Sequence, residues 1–489
     1  MGDQAVEVKI SKGRLKGFKE NDTASFLGIP YAKAPVGKLR FKPPVSLDAW
    51  QEVLDATKFS ASPAQSQSPM FQGDASEDCL YLNVWTPEGG RPNKPVLVWI
   101  YGGGFEGGSA STEAFSGAGL SNRGDTVVVT FNYRVGLLGF GLLSGAKDFE
   151  SYSNLGVRDT IAALNWVQEN IEEFGGDKHN VTVMGASAGG FIACSLISSP
   201  SASGLFQKLI LISGGASRVV PSSQTELITR KAMALLEVSE REFKEVNSAD
   251  LLIAQKKVIP NDIGVRNARV PKALGVTLDN DIANGLLTEH PMQAISAGRA
   301  NHIPILSAAS EAEISAFRRW AKDEDFRPST YSQLVDEVES WQIDRSSAET
   351  IVQHYFHQVP NGDLALTRER ILSDWIYRLP AARLADNLAK AGGSAWALEF
   401  RGTSDRPMGH GDEAPAIFDG LAKMHQLNPR AEFRDELQEA ILNFSDNGKP
   451  GWPAYDESTR LTRVMGSVSK LEAGTFDSLV NLWNGIERP

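Results

Sequence analysis

Short apolar runs that alternate with amphipathic segments dominate the chain from residue 80 onward. Each run is short and rich in β-branched or aromatic residues, as expected for strands that are buried on both faces of a sheet. The runs lie at 80–85, 95–101, 126–131, 181–184, 208–213, 303–308 and 394–400. Their lengths and composition predict the strands of a central sheet.

A long amphipathic helix is predicted between two of these runs, over 155–174. Leu155, Ile161, Leu164 and Ile171 recur at helical spacing, and the Gly175-Gly176 pair is typical of a helix C-terminus. Strands that alternate with helices predict an α/β architecture with a parallel sheet.

Two regions of the chain depart from this alternation of strands and helices. Alternation of Val6, Val8 and Ile10, followed by a glycine break, predicts an N-terminal β-hairpin. Residues 311–393 read as mostly helical, and we interpret them as a helical insertion over one end of the sheet. Because no repeat or low-complexity linker divides the chain, a single domain over residues 1–489 is predicted.

Charge and composition exclude several classes of protein. The 489 residues include 49 Lys and Arg against 60 Asp and Glu, a net charge of −11, which argues against a nucleic-acid-binding protein. No apolar run approaches the ~18 residues that span a bilayer, and the N-terminus lacks the apolar core of a signal peptide. The two cysteines fit a reducing compartment. We therefore expect a cytoplasmic protein with neither nucleic-acid nor membrane partners; the sequence leaves the oligomeric state open.

A serine lies in the tight turn between a predicted strand and an apolar helix. The segment Gly185-Ala186-Ser187-Ala188-Gly189 follows the run at 181–184. Small residues on both sides of a serine allow such a turn to raise its hydroxyl above the carboxyl edge of the sheet. We predict Ser187 as a nucleophile; the alternative is a glycine-rich packing turn.

A second glycine-rich turn offers backbone donors. Gly102-Gly103-Gly104 directly follows the run at 95–101. The N–H groups of Gly103, Gly104 and Ala188 can together stabilise an oxyanion, because glycine lets the backbone approach a carbonyl oxygen closely. A phosphate-binding loop fits less well, since no Lys-Ser/Thr pair follows.

Position in the chain selects the general base among the seven histidines. His410 lies in a glycine-flanked loop after the run at 394–400, so it emerges at the same sheet edge as Ser187. The acid that orients it is expected between the two in the chain. Glu311 and Glu313 both follow the run at 303–308, and their spacing does not choose between them.

Several ordered motifs together resemble the type-B carboxylesterases, the cholinesterase-like branch of the α/β-hydrolases. The matching segments cover nearly the whole chain: residues 26–44, SEDCLYLNVW at 76–85, FNYRVGLLGF, ALNWVQENIEEFGGD, GASAGG and 441–456. The resemblance implies a central, mostly parallel sheet with helices on both faces and a helical insertion over the active site.

The resemblance also implies roles for particular residues. It favours Glu313 over Glu311 as the acid, and it implies two structural ion pairs, Arg40 with Glu77 and Arg134 with Asp159. This chain departs from the family pattern next to the nucleophile, where Ala186 replaces the usual glutamate. Tyr101, Ala312 and Ile314 are further departures.

These observations predict a serine carboxylesterase that uses a Ser187–Glu313–His410 triad and needs neither a metal nor an organic cofactor. Phe105 and the loop 213–219 are expected to border the acyl pocket, and Trp375 and Tyr377 to line the alcohol side. The substrate would be a small ester or lactam. The alternatives are a transacylase or a lactam or lactone hydrolase with the same triad, and a non-catalytic binding protein. We expect the negative net charge to disfavour anionic substrates only weakly, because the electrostatic field at the binding site, and not the charge of the whole chain, determines which substrates bind.

Overall fold

The computed structural model describes residues 4–20, 22–67, 73–143, 150–320, 326 and 330–488. These residues form a 13-stranded sheet. Its strands, numbered in chain order, are β1 Gln4–Ile10, β2 Gly13–Glu20, β3 Thr23–Pro30, β4 Val53–Asp55, β5 Tyr81–Pro87, β6 Lys94–Ile100, β7 Val127–Phe131, β8 Gly176–Ala186, β9 Lys208–Ile212, β10 Ile305–Ser310, β11 Ala395–Arg401, β12 Leu461–Gly466 and β13 Lys470–Ala473.

The spatial order of the strands is β1-β2-β3-β5-β7-β6-β8-β9-β10-β11-β12-β13, with β4 beside β2. From β7 to β12 every neighbouring pair is parallel. The pairs β1–β2, β2–β3, β3–β5, β5–β7 and β12–β13 are antiparallel, and β4 is parallel to β2. The parallel sheet and the N-terminal hairpin predicted from the sequence are therefore confirmed.

Burial explains why the sequence reveals the central strands. Every residue of β6, β7, β9 and β10 is buried, so these strands read as unbroken apolar runs. The last two strands, β12 and the edge strand β13, do not stand out in the sequence. Polar and half-buried residues interrupt them, which weakens the pattern.

Helices connect the strands and cover the sheet. Those of eight or more residues are α1 Leu155–Asn170, α2 Ala188–Ser195, α3 Ser222–Leu236, α4 Ser248–Val258, α5 Glu313–Trp320, α6 Tyr331–Glu339, α7 Arg345–His357, α8 Leu364–Ser373, α9 Leu379–Lys390 and α10 Ala431–Asn447. Shorter helical segments include Ala118–Gly124, Gly136–Phe140, Glu240–Phe243, Ile263–Arg266, Pro291–Ser296, Ala414–Ile417, Asp419–Met424 and Asp477–Leu482. None of the helices in the described ranges is long and apolar enough to cross a bilayer.

The predicted helical insertion lies between β10 and β11, and it includes α5 to α9. Two of its aromatic rings reach the histidine loop that follows β11. The ring centroids of Phe317 and Tyr377 lie 5.0 and 4.7 Å from that of His410. The insertion therefore packs over the carboxyl edge of the parallel strands. That the whole chain forms a single domain stays a prediction.

Both ion pairs implied by the family resemblance are present. Arg40 Nε lies 2.6 Å from Glu77 Oε2. Arg134 forms a bidentate ion pair with Asp159, in which Nη2 lies 2.6 Å from Oδ1 and Nε lies 2.8 Å from Oδ2. The Asp159 side chain is fully buried, so this pair fixes the start of α1 against the segment after β7.

Replacing Asp159 by asparagine is expected to destabilise the fold. The change leaves the buried Arg134 guanidinium without a counter-charge, and breaking such a pair typically costs about 3–5 kcal/mol. The midpoint of urea unfolding should fall clearly. Asp435→Asn, which disrupts an exposed pair with Arg123, should leave the midpoint almost unchanged; similar midpoints for the two variants would contradict this role.

Candidate active site

Ser187 occupies a strained turn between β8 and α2. Its backbone has φ 54° and ψ −122°, a combination that side chains rarely adopt and that the surrounding structure must enforce. A Cβ on Gly185 would lie 2.3 Å from the Gly189 carbonyl oxygen, and one on Gly189 would lie 2.0 Å from the Ile100 carbonyl oxygen. Glycine is therefore required at both positions, as the sequence pattern predicted.

The Ser187 side chain lies beside the glycine loop that follows β6. A Cβ on Gly102 would come within 2.9 Å of Ser187 Cβ. The Ser187 N–H donates to the Ile212 carbonyl at the end of β9, at 2.9 Å. The residue is partly exposed, so the position of the turn leaves its hydroxyl within reach of a small molecule.

The backbone donors predicted for the oxyanion are unpaired within the described residues. Gly103 and Gly104 have φ +135° and +64°, conformations that glycine takes at little cost. Their N–H groups, and that of Ala188 at the start of α2, donate to no acceptor in the part of the chain that the structure describes. These three donors are thus available to a carbonyl oxygen near Ser187.

His410 forms a short contact with Glu313. His410 Nδ1 lies 2.6 Å from Glu313 Oε2, and the Glu313 side chain is fully buried. The other carboxylate oxygen accepts from Ser213 Oγ at 2.6 Å and from the Ser310 N–H at 2.7 Å. This carboxylate is held by two donors and faces Nδ1 of the imidazole, and Nε2 has no hydrogen-bond partner in the part of the chain that the structure describes.

The pKa of His410 reflects two opposing effects. Burial by itself lowers the pKa, because it disfavours the charged imidazolium, but the Glu313 carboxylate outweighs burial and the net pKa is raised. An imidazole in this setting readily accepts a proton, as a general base requires.

The other candidate acid, Glu311, has different partners. Its Oε1 accepts from the N–H groups of Gly402 at 2.5 Å and Met408 at 3.3 Å. These contacts hold the loop that leads from β11 to His410. Glu311 therefore supports that loop, and Glu313 is the carboxylate that reaches the imidazole.

Ser187 and Glu313 are each hydrogen-bonded to one of two adjacent residues at the end of β9. Ile212 accepts from the Ser187 N–H, and the next residue, Ser213, donates to Glu313. Within the described ranges Ser187 Oγ has no hydrogen-bond partner, His410 included. Contacts between a nucleophile and its base are often long without substrate and shorten when it binds.

The predicted pocket residues divide into two groups. Phe105 packs against Phe140 and Phe191, with centroids 5.0 and 6.1 Å apart, and Phe191 also stacks with Tyr377 at 6.3 Å. Tyr377 in turn contacts the His410 ring. These aromatic side chains form one wall beside the candidate nucleophile.

Trp375 does not join this wall. Its ring stacks on Trp341 at 4.9 Å and on Trp483 at 5.2 Å, and its Nε1 donates to the Asn267 carbonyl at 3.3 Å. Its contacts belong to the packing of the helical insertion and do not support the predicted place on the alcohol side.

The roles of two polar residues near the Glu313–His410 pair were missed in the sequence. Ser213 lies in the loop 213–219 that was expected to border the acyl pocket, but its hydrogen bond to Glu313 was not predicted, because a single serine in a loop carries no signal for that role. Glu413 is buried, its Oε2 has no hydrogen-bond partner among the described residues, and burial, together with repulsion from Glu313, raises its pKa to about 7. Its place three residues after His410 was the one available clue. Among the described residues, no group of three or more His, Cys, Asp or Glu could hold a metal ion.

Comparisons with known proteins agree with this architecture. The profile of the Carboxylesterase family matches residues 4–473. The para-nitrobenzyl esterase of Bacillus subtilis (strain 168) is 34% identical over 490 residues, covering 95% of this chain and 96% of its own. The fumonisin B1 esterase of Sphingopyxis macrogoltabida is 33% identical over 476 residues, covering 91% and 83%.

Solved structures give the same result. A structure of PNB esterase covers 97% of this chain and 99% of its own, with a TM-score of 0.86 at 32% identity. The Geobacillus stearothermophilus carboxylesterase EST55 covers 98% and 100%, with a TM-score of 0.84 at 30% identity.

Proposed function

The chain belongs to the carboxylesterase family and is a carboxylic ester hydrolase; we propose that it works through an acyl-enzyme formed on Ser187. The contact that carries this proposal is the 2.6 Å approach of Glu313 to His410 Nδ1. It fixes one nitrogen of the imidazole as a donor and leaves the other as the base. The strained turn presents the nucleophile at the same edge of the sheet.

Acylation begins with attack of Ser187 Oγ on the ester carbonyl carbon. His410 Nε2 takes the hydroxyl proton as the bond forms and then gives it to the departing alcohol oxygen. The Glu313 carboxylate stabilises the imidazolium between these two transfers and keeps Nδ1 protonated. A water then attacks the acyl-enzyme by the same route and releases the carboxylic acid.

The negative oxygen that develops at the carbonyl needs donors that are already in place. The N–H groups of Gly103, Gly104 and Ala188 supply them at no cost of reorganisation, and losing one such donor typically costs about 3 kcal/mol. Phe105 and the loop 213–219 border the acyl group in this arrangement. Tyr377, against His410, borders the departing alcohol.

Labelling with an organophosphate tests the nucleophile directly. One phosphoryl group per chain is expected on the peptide that contains Ser187, because only an activated hydroxyl displaces the leaving group of such a reagent. Peptide mass spectrometry locates the modification. Urea-unfolded protein and the Ser187→Ala variant should remain unlabelled. A modification on a different residue would refute the assignment.

A further inference from the structure

Two buried arginine side chains lie against aromatic rings: the Arg218 guanidinium lies over Phe105, and the Arg488 guanidinium lies over Trp375, 4.5 Å from the ring centroid. Arg218 lies in the loop after β9 and is 6% exposed; Arg488 is 7% exposed. Arginines at this depth are normally paired with a carboxylate. Neither of these two forms an ion pair with any residue that the structure describes.

A neutral residue, Asn267, holds the two guanidinium groups next to each other. Its side-chain oxygen accepts from Arg218 Nη1, and its carbonyl accepts from Arg488 Nη1 at 2.9 Å. Arg218 Nε donates to the Leu274 carbonyl at 3.2 Å. Arg488 Nε and Nη2 are buried without a hydrogen-bond partner in the described ranges, and the hydrogen bonds of Arg218 are made by its Nε and Nη1.

This arrangement is electrostatically costly for the protein alone. Burial, followed by repulsion from neighbouring arginines, lowers the pKa of Arg218 to about 10 and that of Arg488 to about 9. Both groups still carry their charge at neutral pH. Two desolvated cations with spare donors are stabilised when an anion comes between or beside them.

The charges lie close to residues of the candidate site. The Arg218 guanidinium carbon lies 6.0 Å from the centroid of the Phe105 ring, and Phe105 directly follows Gly104. Arg266 Nη2 would lie 3.7 Å from a Cβ on Gly104, although its ion pair with Glu106 offsets its charge. Arg218 and Arg488 also act electrostatically on the Tyr377 hydroxyl, whose ring contacts His410.

We propose that Arg218, supported by Arg488, forms a subsite for a carboxylate on the acyl part of the substrate. The preferred substrates are then monoesters of dicarboxylic acids. This inference rests on the proposed function, and it assigns the carboxylate to the acyl side because Arg218 belongs to the loop 213–219. A local positive field at this site outweighs the negative net charge of the whole chain.

Matched pairs of substrates test the subsite in the unmodified enzyme. The ethyl monoesters of succinic, glutaric and adipic acids are compared with ethyl esters of monocarboxylic acids of the same length. At the best chain length we expect kcat/KM to be about tenfold higher or more for the charged ester, as a charge-assisted contact provides. A preference for the neutral ester at every length would overturn the proposal.

Substitution of Arg218 identifies the residue. In Arg218→Gln the ratio of kcat/KM for the charged ester to that for the neutral ester should fall to about one. In Arg218→Lys the ratio should fall only in part, since lysine keeps the charge but lacks the paired N–H donors of the guanidinium. Arg123→Gln removes an exposed charge that pairs with Asp435 and should retain the preference. Equal losses on charged and neutral esters in Arg218→Gln would indicate a merely structural role.

A binding experiment separates this inference from the proposed function. Monoethyl adipate is titrated calorimetrically into Ser187→Ala, with and without Arg218→Gln. Binding that Arg218→Gln weakens by about tenfold or more supports the subsite even if the unmodified enzyme hydrolyses no ester, a result that would refute only the proposed function. Equal binding by both variants would overturn the subsite alone.

Discussion

Replacing Ser187 by alanine is expected to lower kcat/KM for a simple aryl ester by a factor of about 10⁴–10⁶. The hydroxyl oxygen is the atom that bonds to the substrate, and no described residue can take its place at the turn between β8 and α2. The oxyanion donors and the pocket remain, so a small residual rate is expected. Initial rates of aryl alcohol release measure the effect.

The fold should survive this substitution. Ser187 Oγ makes no hydrogen bond to a described residue, so alanine removes no contact that holds the turn. Circular dichroism and the melting temperature should match those of the unmodified enzyme. Ser222→Ala, which disrupts a surface contact with Asp281, should keep full activity as a matched control. Turnover retained by well-folded Ser187→Ala would exclude this residue as the nucleophile.

Replacing Glu313 by glutamine is expected to lower kcat by a factor of about 10³–10⁴. The amide has nearly the same shape, but it carries no charge to stabilise the imidazolium and no longer selects the Nδ1–H tautomer. Glu311→Gln is the matched control. Its amide oxygen can still accept from the N–H groups of Gly402 and Met408, so we expect a loss of less than about tenfold.

The pH profile distinguishes an electrostatic role of Glu313 from a structural one. His410 must be neutral to act as a base, so activity is lost as the pH falls through its pKa. Glu313 raises that pKa above the usual 6.5, whereas burial opposes the charge. Without the carboxylate, burial prevails and the acid limb of kcat/KM should move to lower pH. An unchanged acid limb in Glu313→Gln, or a greater loss of activity in Glu311→Gln than in Glu313→Gln, would contradict the assignment of Glu313 as the acid.

The positions of the buried strands in the chain were largely readable from the sequence. A strand covered on both faces must be apolar along its whole length, so β6, β7, β9 and β10 appear as continuous runs. The strand β12, next to the edge strand β13, has half-buried positions and includes Arg463, which pairs with Glu436. Its pattern therefore resembles that of a loop, and only its pairing with β11 identifies it.

The site residues differ in the same way. Ser187 and the glycines of both turns carry a local signal, because steric limits of a tight turn restrict the residues that can occupy it. Trp375 and Tyr377 are close together in the helical insertion, yet only Tyr377 reaches His410. Which side of a helical segment faces a site depends on its packing against neighbours, which the spacing of aromatic residues does not determine.

The sequence by itself determined the buried strands of the sheet and predicted the nucleophile turn, the glycine donors and His410, because each depends on local sterics or on position after a strand. The family resemblance favoured Glu313, but only the tertiary structure shows that its carboxylate reaches His410, across a separation of 97 residues, and which residues hold Arg218 and Arg488 together. Contacts of this kind arise when distant elements pack. Electrostatics at a buried site follow from burial and nearby partners, so the net charge of the chain could not reveal them.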